Sequence, residues 1–239
     1  MDTPLPAETV VLPQRGWQVD PQHALIAGIV CWLGFGLMTW LVHSGRIVTL
    51  DEAGLRLFRH GGDLSLIGSA GVAEAVRDVT ALGGTFLRTI ATIAAFVALF
   101  FLRLRREAVL MVVTILTGLA VELAIKDLVG RPRPYLVPHL VEAGGMSFPS
   151  GHSFNSALGF IAIALAFATC SVRRRVRWTL IGAAGILSML VASSRVALGV
   201  HYPSDVIAGW LGGAGWAFLA EALFYRPAKA LADAVPDGL

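Results

Sequence analysis

The chain has 239 residues, of which 56% are hydrophobic and 15% charged, against about 25% charged in soluble domains. That composition excludes an ordinary soluble domain and points to a bilayer. The net charge of +3 does not mark a nucleic-acid partner, because the arginines fall in short clusters between apolar runs and not along a groove.

In chain order, a polar leader over residues 1–22 carries Asp2 and Glu8 ahead of Arg15. No small-residue cleavage site follows the first apolar run, so that run is expected to be retained as a span. Runs near the length a bilayer requires cover Ala24–Val42, Thr85–Leu102, Ala108–Ile125, Ser153–Cys170, Trp178–Leu198 and Asp205–Phe224. The second is the weakest, since Arg88 lies inside it. The expected fold is therefore all-α: a polytopic membrane protein of six transmembrane helices, forming a single domain over residues 1–239.

The first loop, Ser44–Gly84, is the longest. Thr49 followed by Glu52 reads as a capping box, opening a short helix that ends at Gly61-Gly62. The amphipathic stretch SLIGSAGVAEAVRDVTALGG reads as a helix lying on the membrane surface or dipping into it. Gly209 and Gly213 are spaced for close helix packing. Cys31 and Cys170 lie in apolar runs and read as buried free thiols.

Arginines in short loops orient such a chain. Arg103, Arg105 and Arg106 follow the second run, and Arg173, Arg174, Arg175 and Arg177 follow the fourth. An alternating path puts both clusters and both termini on the cytoplasmic side. The remaining loops then face outward, yet carry Lys126, Arg131, Arg133 and Arg195. Cations against the usual bias imply another task.

Three clusters share that outward face: KDLVGRPRP (Lys126–Pro134), PSGH (Pro149–His152) and SRVALGVHYPSD (Ser194–Asp205). Lys126, Arg133 and Arg195 could together surround an oxyanion. Arg131 is left outside that group, as a contact for headgroups or solvent. Ser150 and Gly151 bring backbone N–H groups to a helix N-terminus, which binds phosphate through unpaired amides and the helix dipole. His152 would stand beside the bound group, where it could protonate a leaving oxygen. Asp205, four residues after His201, can hold one ring nitrogen and leave the other free to attack phosphorus. Glu122, one turn before Lys126, reads as its local charge partner. His23, His43, His60 and His139 are expected at interfaces or in solvent.

Lys126, six residues, then Arg133-Pro134; Pro149-Ser150-Gly151-His152; Ser194-Arg195, five residues, His201, three more, Asp205: these positions resemble the three-part signature of the type 2 phosphatidic acid phosphatase family, the lipid phosphate phosphatases related to vanadate haloperoxidases. The resemblance implies a phosphatase without metal or other cofactor, working through a phosphohistidine. His201 would be the nucleophile oriented by Asp205. His152 would be the acid for the leaving group and then the base for water. Lys126, Arg133, Ser150, Gly151, Ser194 and Arg195 would bind the phosphoryl oxygens.

A site at the outer interface suits an amphiphile whose phosphate lies at headgroup depth. The partners expected are a lipid phosphate substrate and membrane lipids, with no nucleic acid and no obligate protein partner. Relatives implied by the resemblance act on phosphatidic acid, phosphatidylglycerol phosphate, undecaprenyl diphosphate or lipid A phosphates. The compact size favours undecaprenyl diphosphate or glycerophospholipid phosphates, in a bacterial inner membrane. The alternatives are a phosphotransferase with the same signature and a lipid-binding or transport protein without turnover. A binder would need neither nucleophile nor acid.

Overall fold

The computed structural model describes residues 20–233 except Val172, with side chains as far as residue 224. The leader with Asp2, Glu8 and Arg15 lies outside the described residues. Those described fold into eight helices and no β-strand: α1 (Pro21–His43), α2 (Val48–Arg56), α3 (Ala70–Leu82), α4 (Thr85–Phe101), α5 (Arg105–Val129), α6 (Gly151–Ala168), α7 (Arg174–Ala197) and α8 (Pro203–Asp233).

Helix α1 opens on Asp20, whose carboxylate accepts from Gln22 N at 2.9 Å, with Pro21 at the first helical position. Proline costs nothing there, because its missing N–H would have no partner in the helix. The helix is apolar all round, yet only Ala24, Gly28 and Phe35 are buried. An apolar surface of that kind suits lipid. α6 is the opposite case, with thirteen buried residues between Ser153 and Ala168, and it forms the bundle axis.

Hydrophobic burial does not drive helices together inside lipid, so close backbone approach has to do so. Gly209 and Gly213 supply it. A Cβ on Gly209 would stand 2.7 Å from Ser150 O, and one on Gly213 would overlap the Phe154 carbonyl. α8 therefore lies directly on the first turns of α6. Ser153 Oγ donates to Val206 O at 2.6 Å, and Ser150 N donates to Asp205 O at 3.0 Å. These contacts draw the second and third signature clusters together.

Five helices are long and apolar enough to cross a membrane: α1, α5, α6, α7 and α8. The expected second span, Thr85–Leu102, corresponds to α4, which meets that test only together with α3. The two are bent by 48° at their junction, where Gly83 packs against Val191 and Ser156. Counted as one broken span, the pair completes six. The protein is an integral membrane protein. Its alternating path gathers the three signature clusters at one end of the bundle and leaves Arg103–Arg106 and Arg173–Arg177 at the other.

Two expectations need correction. The Thr49–Glu52 capping box does not form: α2 is capped at Ile47 without a side-chain bond and ends at Arg56. The turn leaving α1 through Gly45 (φ +70°) hands the chain straight to α2, with Asp51 N already on Ile47 O at 2.9 Å. Thr49 is therefore inside the first turn. Both cysteines are free, but Cys31 is only partly buried and Cys170 is exposed, because α6 stops at Ala168 and Cys170 falls in the turn beyond it.

Candidate active site

His201 lies in the short connection between α7 and α8 and is 2% exposed. Arg133 Nη1 lies 3.0 Å from its Nε2 and also donates to Val200 O at 2.9 Å. A guanidinium can only donate, so Nε2 is the unprotonated nitrogen and the ring proton sits on Nδ1. That nitrogen faces Ser147 Oγ at 3.3 Å and Asp205 Oδ2 at 3.6 Å. Ser147 Oγ donates in turn to Asp205 Oδ2 at 2.5 Å. The expected aspartate–histidine pair is present, with a serine hydroxyl inserted between its members.

Asp205 is fully buried and surrounded by donors. Besides Ser147, it accepts from Tyr202 N at 3.0 Å and from Arg131 Nη1 at 2.6 Å. Arg131 is thus part of the site and not a contact for headgroups or solvent. Its other terminal nitrogen donates to Asp51 Oδ2 at 2.8 Å, and its guanidinium lies over the Tyr202 ring at 4.1 Å. Asp51, 1% exposed, accepts from Ser204 N at 2.9 Å and Ser204 Oγ at 2.6 Å. A buried charge is tolerated when it is paired and hydrogen-bonded. Asp51–Arg131–Asp205 meets that condition, and it ties α2 of the first loop to α8.

The cations converge as expected. Arg195, 4% exposed, donates through Nη1 to Thr80 Oγ1 at 2.9 Å, while its buried Nε has no protein partner. Lys126 pairs with Glu122 at 2.8 Å, and its Nζ would stand 3.2 Å from a Cβ on Gly151. Glu122 is therefore its local partner, and Gly151 has no side chain because the lysine and glutamate occupy that space. Arg133 also holds Gly144 O at 2.7 Å and Gly145 O at 3.1 Å. His152 lies near enough to Arg195, His201 and Lys126 for each to act on it electrostatically.

Two predicted ligands present themselves differently. Ser150 Oγ is buried without a protein partner, a donor suited to an oxyanion, but its N–H is already given to Asp205 O. Ser194 Oγ donates to Val191 O at 2.6 Å within its own helix and does not reach toward the cage. His23, His43, His60 and His139 are exposed, as expected.

Burial pushes the His201 imidazole down to about 4; Asp205 opposes this, while Arg133 and Arg195 reinforce it. Over the neutral range the ring is uncharged, with a lone pair on Nε2. That is the state a nucleophile needs.

Four residues the spacing did not single out complete the arrangement: Ser147, Asp51, Thr80 and Gly83. Ser147 stands two positions before Pro149, close enough to the second cluster to have been considered. Asp51 and Thr80 carried no local signal, since their partners are 153 and 115 residues away.

Residues 106–228 match the PAP2 superfamily, more than half of the chain. Phosphatidylglycerophosphatase B of Bacillus subtilis is 28% identical over 183 residues, covering 75% of this chain and 85% of that one. A lipid A 1-phosphatase of Rhizobium etli is 37% identical over 140 residues, 55% of either chain. The crystal structure of the transmembrane PAP2-type phosphatidylglycerolphosphate phosphatase from Bacillus subtilis superposes with a TM-score of 0.75 at 26% identity, over 83% of this chain and 96% of that one. The chain belongs to the PAP2 superfamily. Within it, the protein is a membrane lipid phosphatase.

Proposed function

We propose that this protein hydrolyses the terminal phosphate of a lipid phosphate or diphosphate through a phosphohistidine on His201. The candidate substrates are undecaprenyl diphosphate, phosphatidic acid and phosphatidylglycerol phosphate. The observation that carries the reading is the buried, neutral His201, whose Nε2 faces Arg133 while its Nδ1 is turned toward Ser147 and Asp205. In the first step Nε2 bonds to phosphorus and the bond to the leaving oxygen breaks. His152 supplies a proton to that oxygen. Arg133 moves from Nε2 to a phosphoryl oxygen, and Lys126, Arg195, Ser150 Oγ and the Gly151 N–H complete the cage. Phosphoryl transfer depends mainly on positioning and on stabilising spread negative charge, which this set provides. Water, deprotonated by His152, then cleaves the P–N bond and releases phosphate.

The arginine-rich turns opposite the site support an orientation with both termini in the cytoplasm and the site at the outer face of a bacterial inner membrane. The test is phosphate release in detergent, with EDTA present, from a panel of lipid phosphates and one water-soluble phosphate. Wild type should release phosphate, and His201→Ala should reduce it at least about a thousandfold, as loss of a nucleophile does. Release that survives the substitution would remove His201 from its role. Transfer of labelled phosphate to a second lipid would identify a phosphotransferase.

A further inference from the structure

The phosphoryl cage leaves unused a second row of polar groups on α6. His152, Ser156 and Gly159 follow at helical spacing on one face. The bend between α3 and α4 lies on that face: a Cβ on Gly83 would stand 2.6 Å from Ser156 Oγ and 3.4 Å from His152 Cδ2. Arg88, in the first turns of α4, runs its methylenes past Gly159 and returns its guanidinium to Gly83 O at 3.2 Å. The guanidinium and the His152 ring therefore flank the same glycine, and Arg88 acts electrostatically on His152. Ser156 Oγ is fully buried there without a protein partner.

The charge at this point is not balanced locally. Glu122 attracts Arg88, but Glu122 is already paired with Lys126 at 2.8 Å. Two cations thus share one carboxylate within membrane-spanning segments, where an ionisable group marks a binding or transport site by default.

Position decides which ligand this is. In an in-line displacement the leaving oxygen departs opposite the attacking Nε2, on the side of the acid His152. Whatever lies beyond His152 along α6 meets the leaving group. A lipid monophosphate leaves as an alkoxide on an apolar tail and has no use for a guanidinium there. A lipid diphosphate leaves as a lipid monophosphate, whose oxygens match the Arg88 fork and the Ser156 hydroxyl.

We propose that Arg88 and Ser156 form a second phosphate subsite, and that the preferred substrate is a lipid diphosphate. This rests on the phosphohistidine reading above. The Nε2–phosphorus bond forms at the terminal phosphate, and the bond from that phosphorus to the bridging oxygen breaks. The electron pair stays on the lipid monophosphate, which Arg88 holds. Water then returns His201 and releases inorganic phosphate.

The experiment compares farnesyl diphosphate with farnesyl phosphate in detergent micelles, so that the tail is constant and only the second phosphate differs. Arg88→Gln should lower kcat/KM for the diphosphate roughly ten- to hundredfold, the usual worth of a charge-assisted hydrogen bond. Turnover of the monophosphate by the same variant should stay within about threefold of wild type, the scatter expected away from a contact, which also shows that the variant folds. Arg88→Lys should recover part of the loss, and Ser156→Ala should shift selectivity the same way by less. Equal losses on both substrates would make Arg88 a structural residue and overturn the proposal, as would no change on either. A wild type that cleaves the monophosphate as well as the diphosphate would overturn the preference while leaving the phosphatase reading intact. A wild type that cleaves neither would sink both.

Discussion

A gap of 3.6 Å separates His201 Nδ1 from Asp205 Oδ2, and the Ser147 hydroxyl bridges it at 3.3 Å and 2.5 Å. The carboxylate therefore orients the nucleophile partly through a serine that accepts from Nδ1–H and donates to Asp205. Ser147→Ala removes one hydroxyl from a fully buried position and leaves two polar groups short of a bond. Loss of one such bond costs about 1–3 kcal/mol. The expected result is a fall in kcat of roughly tenfold to a hundredfold with KM little changed, because Ser147 touches the nucleophile and not the phosphate. A change confined to KM would show that the hydroxyl binds substrate instead. The protonation of His201 gives a second prediction. Burial holds the ring down to about 4, so kcat/KM should persist through mildly acid pH and fall only near 4, where Nε2 gains a proton. An acid limb near 6.5, the value of a free histidine, would mean the ring is hydrated during turnover. The linkage has the same sign. Between about 4 and 6.5 the unfolded chain binds a proton that the native site refuses, so stability falls as pH is lowered through that window.

At the scale of the element, the α6–α8 contact carries the site. Gly209 and Gly213 let the α8 backbone rest on Ser150, Ser153 and Phe154, and this sets the distance between the PSGH turn and the His201–Asp205 pair. Gly213→Ala would drive a methyl group into the Phe154 carbonyl. It should cost about 1–3 kcal/mol, as overpacking does, and lower activity by displacing one cluster from the other. Gly36→Ala is the control. It lies in the middle of α1 with nothing within 4 Å of a new Cβ, and should raise stability by up to about 1 kcal/mol through helix propensity. Thermal unfolding in detergent separates the two, and a neutral Gly213→Ala would mean that α8 stands further from α6 than described. The first loop also acts at this scale. α2 delivers Asp51 to Arg131, α3 delivers Thr80 to Arg195, and the bend at Gly83 lies against His152.

Across the whole molecule, the signature clusters and the arginine-rich turns occupy opposite ends of the bundle. Cys170 marks the arginine end, exposed in the turn between α6 and α7. In a Cys31→Ser background, a membrane-impermeant maleimide should label Cys170 in inside-out vesicles and leave it unlabelled in intact cells. The reverse pattern would place the site in the cytoplasm.

The long helices and the main charged residues were legible in the sequence because their signals are local. Apolar runs reveal spans, and His152, His201, Asp205, Lys126, Arg133 and Arg195 stand in three short clusters with spacing that only a shared site explains. Arg131 was visible but misplaced, since two arginines two residues apart look alike until one of them meets Asp51. By itself the sequence determined a bundle of membrane helices with a cationic, two-histidine site at one end. Only the tertiary structure decided that Ser147 sits between His201 and Asp205, that Asp51 anchors Arg131, that Thr80 holds Arg195 and that Arg88 returns to Gly83. The physical reason is that hydrophobic periodicity and motif spacing report neighbours along the chain, whereas these hydrogen bonds join residues that meet only after α6, α7 and α8 have packed.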